Sequence, residues 1–278
     1  NLIFVIVFHT GVAGVALATL ISQCISAALV VLCLMRSEGY YRLYLRDLRI
    51  SKEKLFQIMR VGIPAGVQGA VFSISNVLIQ SSINSFGSIA IAGNTAASNI
   101  EGFVYTCMNS LYQASLSFTS QNIGARKIKR LVPILVRCLS CVVVIGVGLS
   151  SIVLIFGSQL LGIYSSDPEV IQFGLSRFWV VCLTYFLCGM MDVICGSIRG
   201  MGYSVTPTIV SLASVCGFRI LWIYTIFLIN RSLFSLYLSY PISWGLAFLV
   251  HFICFIVFYR RWKQKEAAWA AKDQSTTK

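Results

Sequence analysis

Two carboxylates, Glu101 and Asp192, lie well inside long apolar stretches, whereas the other seven acids, Glu38, Asp47, Glu53, Asp167, Glu169, Glu266 and Asp273, do not. An ionisable group at membrane depth costs several kcal/mol and marks a functional site by default. Burial in a low dielectric disfavours a carboxylate, so such a group readily takes up and releases a proton or a cation. That chemistry suits the coupling of an ion to the movement of something else. Glu101 is the first choice for this role and Asp192 the second. Arg219 sits near the middle of its own apolar stretch. It is the candidate charge partner, and an acid that it paired would simply be satisfied.

Two polar stripes accompany the acids. Gly69, Ser73, Asn76, Gln80 and Asn84 follow one another at steps of 4, 3, 4 and 4. Asn94, Ser98, Glu101, Tyr105, Asn109 and Tyr112 follow at steps of 4, 3, 4, 4 and 3. Each series traces one helix face. In lipid a polar face must turn to other helices or to a water-filled cavity. Interhelical hydrogen bonds, worth roughly 0.6 kcal/mol each, are the plainer reading. Two stripes with a carboxylate and two tyrosines favour a substrate cavity lined by Ser73, Asn76, Gln80, Asn94, Ser98, Tyr105, Asn109 and Tyr112. The rings of Tyr105 and Tyr112 suit a cationic guest. Cys138 and Cys141 have C-x-x-C spacing without a neighbouring His or Cys, so they read as small packed thiols. His9 and His251 are isolated. No Walker loop, nucleophile elbow or zinc motif occurs, so neither a catalytic residue, a metal ligand nor a cofactor is expected, and the chain does not read as an enzyme.

The elements that hold these residues follow from composition. Hydrophobic residues make up 57% of the 278 and charged residues 11%, against about 25% charged in soluble domains. Mean hydropathy is +0.82. A disordered chain and an ordinary soluble enzyme are excluded, and ten Cys are too sparse for a disulfide scaffold. An all-α polytopic transmembrane bundle remains. A spanning helix needs ~20 apolar residues, and seven stretches qualify, at roughly 11–35, 62–86, 89–119, 132–156, 170–197, 205–229 and 236–258. Their length favours helices over barrel strands. Alternate connections are basic. Arg36, Arg42, Arg46, Arg49, Lys52, Lys54 and Arg60 follow the first span, and Arg126, Lys127, Lys129, Arg130 and Arg137 follow the third. Arg199 follows the fifth, and Arg260, Arg261, Lys263, Lys265, Lys272 and Lys278 follow the seventh. These are 19 of the 22 Lys and Arg. The positive-inside rule places these connections and the C-terminus in the cytoplasm. Basic residues scattered over short connections do not form a nucleic-acid surface, so the lipid bilayer is the partner. Segment 37–60 alternates Tyr40, Tyr41, Leu43, Tyr44, Leu45 and Leu48 with Arg42, Arg46 and Arg49, as an interfacial linker does. Pro64 and Pro207 are expected in the first turns of their helices.

The first span carries Ala18-Thr19-Leu20-Ile21-Ser22-Gln23 and the seventh Ser239-Tyr240-Pro241-Ile242-Ser243-Trp244. Both run on to a basic cluster, as the last helices of two related bundles would. With Asn1 already inside an apolar run (residues 2–8), the chain is expected to be the C-terminal part of a longer protein.

In these terms the chain resembles the multidrug and toxic compound extrusion (MATE) family, bacterial branch. The resemblance is carried by Gly11 to Thr19, by Arg60-Val61-Gly62-Ile63-Pro64-Ala65-Gly66, and by Phe86-Gly87 followed by Ala92-Gly93-Asn94-Thr95-Ala96-Ala97. Ser120-Gln121-Asn122-Ile123-Gly124-Ala125-Arg126 and Gly196-Ser197-Ile198-Arg199-Gly200-Met201-Gly202 complete it. It implies twelve helices in two six-helix lobes. Residues 1–35 then end the first lobe, 36–60 are the cytoplasmic interlobe linker, 61–259 are the second lobe and 260–278 a cytoplasmic tail. The partner it implies is the missing N-terminal lobe of the same chain. The implied activity is export of small amphiphilic or cationic drugs across the bacterial plasma membrane, against Na+ or H+ as coupling ion. The family's second-lobe acids lie in the spans at 62–86 and 170–197. Here the first of these has no acid, and Asp192 stands one turn after the family position, which Cys188 occupies. A lipid-linked oligosaccharide flippase of related architecture and, further off, a seven-helix receptor are the alternative functions.

Overall fold

The computed structural model describes Phe4, His9, residues 11–39 and residues 42–276, and all its regular elements are helical. Tyr40 and Tyr41 of the linker, Lys278 of the tail and the apolar run at 2–8, apart from Phe4, lie outside the described residues. The chain divides into two units, Asn1–Phe56 and Gln57–Lys278.

In the first unit α1, Gly11–Arg36, is one unbroken helix. Leu17, Leu20, Ile25 and Leu29 on its faces are all exposed. Apolar residues right round a helix require lipid or further helices against them. After Arg36 the chain turns back through a bond from Leu43 N–H to Leu34 O of 3.0 Å, and a single 3-10 turn follows at Leu45–Asp47. The end of the expected linker, residues 52–60, is helical. Helix α2, Lys52–Asn84, begins directly after Ser51, because Lys52-Glu53-Lys54-Leu55 are strong helix formers with an acid in the first turn. Pro64 therefore lies inside α2 and not in its first turn.

The second unit holds α2 from Gln57 onward and the remaining helices. A tight turn with Gly87 at φ +94° leads into α3, Ser88–Gly124, and only glycine adopts that φ without strain. The 3-10 turn Ile128–Arg130 precedes α4, Leu131–Ile155, and the short α5, Gly157–Gly162. Asp167 caps α6, Pro168–Arg177, by accepting from Glu169 N–H at 2.9 Å, with Pro168 at the first helical position. A π turn at Phe178–Cys182 separates α6 from α7, Tyr185–Gly200, and the two parts meet at a bend of 44°. A second π turn, Leu212–Gly217, lies between α8, Val205–Ser211, and α9, Phe218–Tyr224. Here Pro207 does fall in the first turn. The short α10, Ile226–Ile229, leads to α11, Leu233–Thr276. Its 44 residues extend about 66 Å at ~1.5 Å each. Residues 260–276 of the expected tail are thus helix continuous with the last span. Trp262 Nε1–H anchors it by donating to Met201 O at 3.2 Å.

Helix α7 shares its longest contact with α3. Small residues permit the approach, since a Cβ on Gly196 would lie 2.8 Å from Tyr112 O and one on Gly200 2.8 Å from Leu116 O. Ser115 Oγ donates to Val193 O at 3.0 Å, and Thr119 and Ser197 hydroxyls lie 3.2 Å apart. Small residues plus short hydrogen bonds are how helices associate without a hydrophobic driving force. Among the described residues five helices are long and apolar enough to cross a membrane, or six if the bent α6–α7 pair is one span. The remaining expected stretch, the third in chain order, is α3, whose 37 residues have the length, but its polar stripe lowers its hydropathy.

Candidate functional site

A cavity of about 600 Å3 opens between α2, α3, the α6–α7 pair, the α8–α9 pair and α11. Both π turns border it, through Val181 and Val215. A π turn shifts the register of the faces on either side of it, which lets one helix present its polar residues here while its ends pack elsewhere. Phe72, Tyr185, Tyr240 and Trp244 supply aromatic wall.

Of the stripe residues, Asn76, Gln80, Asn94, Ser98, Glu101 and Tyr105 line the cavity. Three expected lining residues do not. Ser73 Oγ–H turns back to Gly69 O at 3.1 Å, Asn109 Nδ2–H points at Tyr105 Oη at 3.4 Å, and Tyr112 Oη accepts from Arg199 Nη1–H at 2.8 Å. Arg199 explains the loss of Tyr112. Its Nη2 also donates to Gln68 Oε1 at 2.6 Å and to Thr208 Oγ1 at 3.3 Å, so one guanidinium ties α2, α3, α7 and α8 beyond the cavity.

The charges sort into a closed pair and two open groups. Glu101 is buried and grips Arg177 with both oxygens, Nε to Oε1 at 3.0 Å and Nη2 to Oε2 at 2.7 Å. Arg177 Nη1–H donates to Asn94 Oδ1 at 2.7 Å, Asn94 Nδ2–H to Gln80 Oε1 at 3.0 Å, and Gln80 Nε2–H to Asn84 Oδ1 at 3.1 Å. The rings of Tyr237 and Tyr240 lie 5.6 and 5.4 Å from the same guanidinium. A two-pronged Arg–carboxylate pair whose third guanidinium nitrogen also finds an acceptor is the favourable way to bury both charges. The charge partner expected at Arg219 is therefore Arg177. Arg219, 5% exposed, instead donates from Nε to Ser243 Oγ at 3.0 Å and stacks over Tyr240 at 4.1 Å, with Trp244 at 5.6 Å. Its reach is taken by α11, one turn of which carries Tyr240, Ser243 and Trp244. Asp192 lines the cavity and, among the described residues, has no hydrogen bond or ion pair. Cys188, one turn before it, lines the cavity too.

Arg177, Tyr185, Tyr237, Tyr240 and Trp244 were not legible as site residues. Arg177 stands near the start of its span like any residue of an outer connection, and its partner is 76 residues away. The aromatic residues of α11 read as core. Among the described residues no cluster of His, Cys, Asp and Glu is arranged to hold a metal.

The MatE family model matches residues 64–225. The probable multidrug resistance protein YoeA of Bacillus subtilis is 25% identical over 262 residues, which is 92% of this chain and 56% of that protein. The probable multidrug resistance protein NorM of Thermotoga maritima is 24% identical over 208 residues, 74% of this chain and 44% of that protein. Among solved structures, an outward-facing multidrug resistance MATE transporter superimposes with a TM-score of 0.83 at 20% identity, over 95% of this chain and 59% of that one. The chain thus spans little more than half the length of such relatives.

Proposed function

The chain belongs to the MatE family of membrane transporters, and from that premise we propose that it supplies the second six-helix lobe, and with α1 the last helix of the first, of a twelve-helix exporter in a bacterial plasma membrane. The protein exchanges small amphiphilic or cationic compounds against an entering Na+ or H+ by alternating access. Seven spans run through this chain, with α3 as the polar one that faces the cavity.

The observation that carries this reading is Asp192, an acid on the wall of a 600 Å3 cavity with no hydrogen-bond or ion-pair partner among the described residues. Exchange requires one site to hold either the ion or the state that accepts substrate, and a free carboxylate does this. Glu101 is less suited than the sequence suggests, because Arg177 occupies both its oxygens. Broken helices around a midplane cavity are how transporters place polar groups in the membrane, and the bent α6–α7 pair fits that pattern.

The test is drug efflux by the whole protein in cells lacking their own exporters. Asp192→Asn keeps the shape and removes the charge. It is expected to abolish ion-coupled efflux with normal membrane expression. Efflux at the unsubstituted rate would overturn the assignment of coupling to Asp192.

A further inference from the structure

The cavity wall holds a cation, Arg219, that forms no ion pair among the described residues. Arg177 is neutralised by Glu101. Arg219 is buried, and its Nη2 is enclosed without any hydrogen-bond partner. Of its N–H groups only Nε–H is bonded, to Ser243 Oγ, and Ser243 is itself fixed by donating to Tyr240 O at 2.8 Å. Ser243 therefore holds the inner edge of the guanidinium, and of the two terminal nitrogens, neither of which has an acceptor among the described residues, only Nη1 is not enclosed. Its N–H groups suit an oxygen of an oxyanion through a charge-assisted hydrogen bond. Tyr240 and Trp244 flank the guanidinium with ring faces, which partly offset the buried charge but accept no in-plane N–H bond. A buried donor left unbonded is costly, and the neighbouring aromatic wall suits an apolar ring or chain.

We propose that Arg219 is a ligand anchor that binds the oxyanion head of an amphiphile, with the ligand's apolar body against Tyr240 and Trp244. This rests on the cavity being the transport cavity and selects, within the proposed amphiphilic or cationic compounds, amphiphiles that bear an acid. The same chemistry belongs to a soluble aromatic acid and to an anionic lipid headgroup. Asp192, unpaired on the same cavity, leaves a place for a proton, a cation or a ligand's own amine.

The test is calorimetric binding to the whole protein in phosphatidylcholine nanodiscs, with 2-naphthoate, neutral 2-naphthamide and 2-naphthylmethylammonium as probes. 2-Naphthoate is expected to bind about tenfold or more tighter than the amide, the worth of a charged hydrogen bond. Arg219→Gln should erase that preference and Arg219→Lys should keep part of it. Because the preference is read first in the unsubstituted protein, a variant that fails to fold does not remove the test. Equal binding of acid and amide, or a preference that survives Arg219→Gln, overturns the proposal. So does tighter binding of the ammonium than of the acid. Repeating the titration with phosphatidylglycerol in the disc distinguishes the sources: competition with 2-naphthoate that depends on Arg219 assigns the site to a lipid head, and no competition assigns it to a soluble acid. Binding without efflux would remove the export reading and leave the anchor. Efflux of the ammonium without 2-naphthoate binding would do the reverse.

Discussion

Glu101 and Asp192 are both acids in the membrane, yet their surroundings give them opposite characters. Glu101 holds a cation in a closed pair, so its loss is a matter of stability. Glu101→Gln leaves Arg177 buried with its charge unopposed, and breaking such a pair from one side costs about 3–5 kcal/mol. Arg177→Gln has the mirror effect. Each single variant is expected to melt well below the unsubstituted protein, and the double variant Glu101→Gln with Arg177→Gln should lose less than the two single losses added. Thermal unfolding of the four proteins in detergent checks this. Additive losses would mean that the two residues act apart, against the 2.7 Å contact.

At the scale of elements, the cavity exists because α7 can lie close on α3 and still bend away at its start. The close approach depends on glycine. Gly196→Ala places a methyl group 2.8 Å from the Tyr112 carbonyl, a backbone atom that cannot swing aside, and overpacking of this kind costs about 1–3 kcal/mol. Gly148 on α4 has open space where its Cβ would be, so Gly148→Ala should be neutral or slightly stabilising, as alanine is the better helix former by up to about 1 kcal/mol. Detergent melting curves of the two variants, read side by side, test the packing. Equal stability would mean that α3 and α7 lie farther apart. The Arg199 contacts to Gln68, Tyr112 and Thr208 reach α2, α3 and α8 from the polar side, so one stretch of α7 carries both close packing and a hydrogen-bond fan.

For the whole molecule, the distribution of Lys and Arg sets the expected orientation. Basic residues cluster after α3 and along the end of α11, whereas the turns near Phe86 and Asp167 lack them. Introduced in a version without its native cysteines, Phe86→Cys and Asp167→Cys should react with an impermeant thiol reagent from outside intact cells, and Ala125→Cys should not. The reverse pattern would invert the topology. The free energy behind the rule acts on loop charges near the membrane ends, so it does not depend on how the helices pack.

What the sequence determined by itself is what consecutive residues encode. Apolar runs with few charges specified membrane helices, and short motifs such as Ala92-Gly93-Asn94 pointed to the family. The 3.6-residue period put Asn76, Gln80, Asn94, Ser98, Glu101 and Tyr105 on faces that meet at one cavity. Periodicity fixes a face relative to its own helix only. Which helix that face meets, and at what rotation, is set by packing between residues far apart in the chain. That is why the tertiary structure alone decided that Glu101 pairs with Arg177 and not with Arg219, across 76 residues. It also decided that Tyr112 leaves its stripe for Arg199, across 87. The π turns at Phe178–Cys182 and Leu212–Gly217 belong to the same class. Their residues are apolar or small ones that form regular helix elsewhere in the chain, and they adopt the wider turn where α6–α7 and α8–α9 pack at both ends and still open to the cavity between.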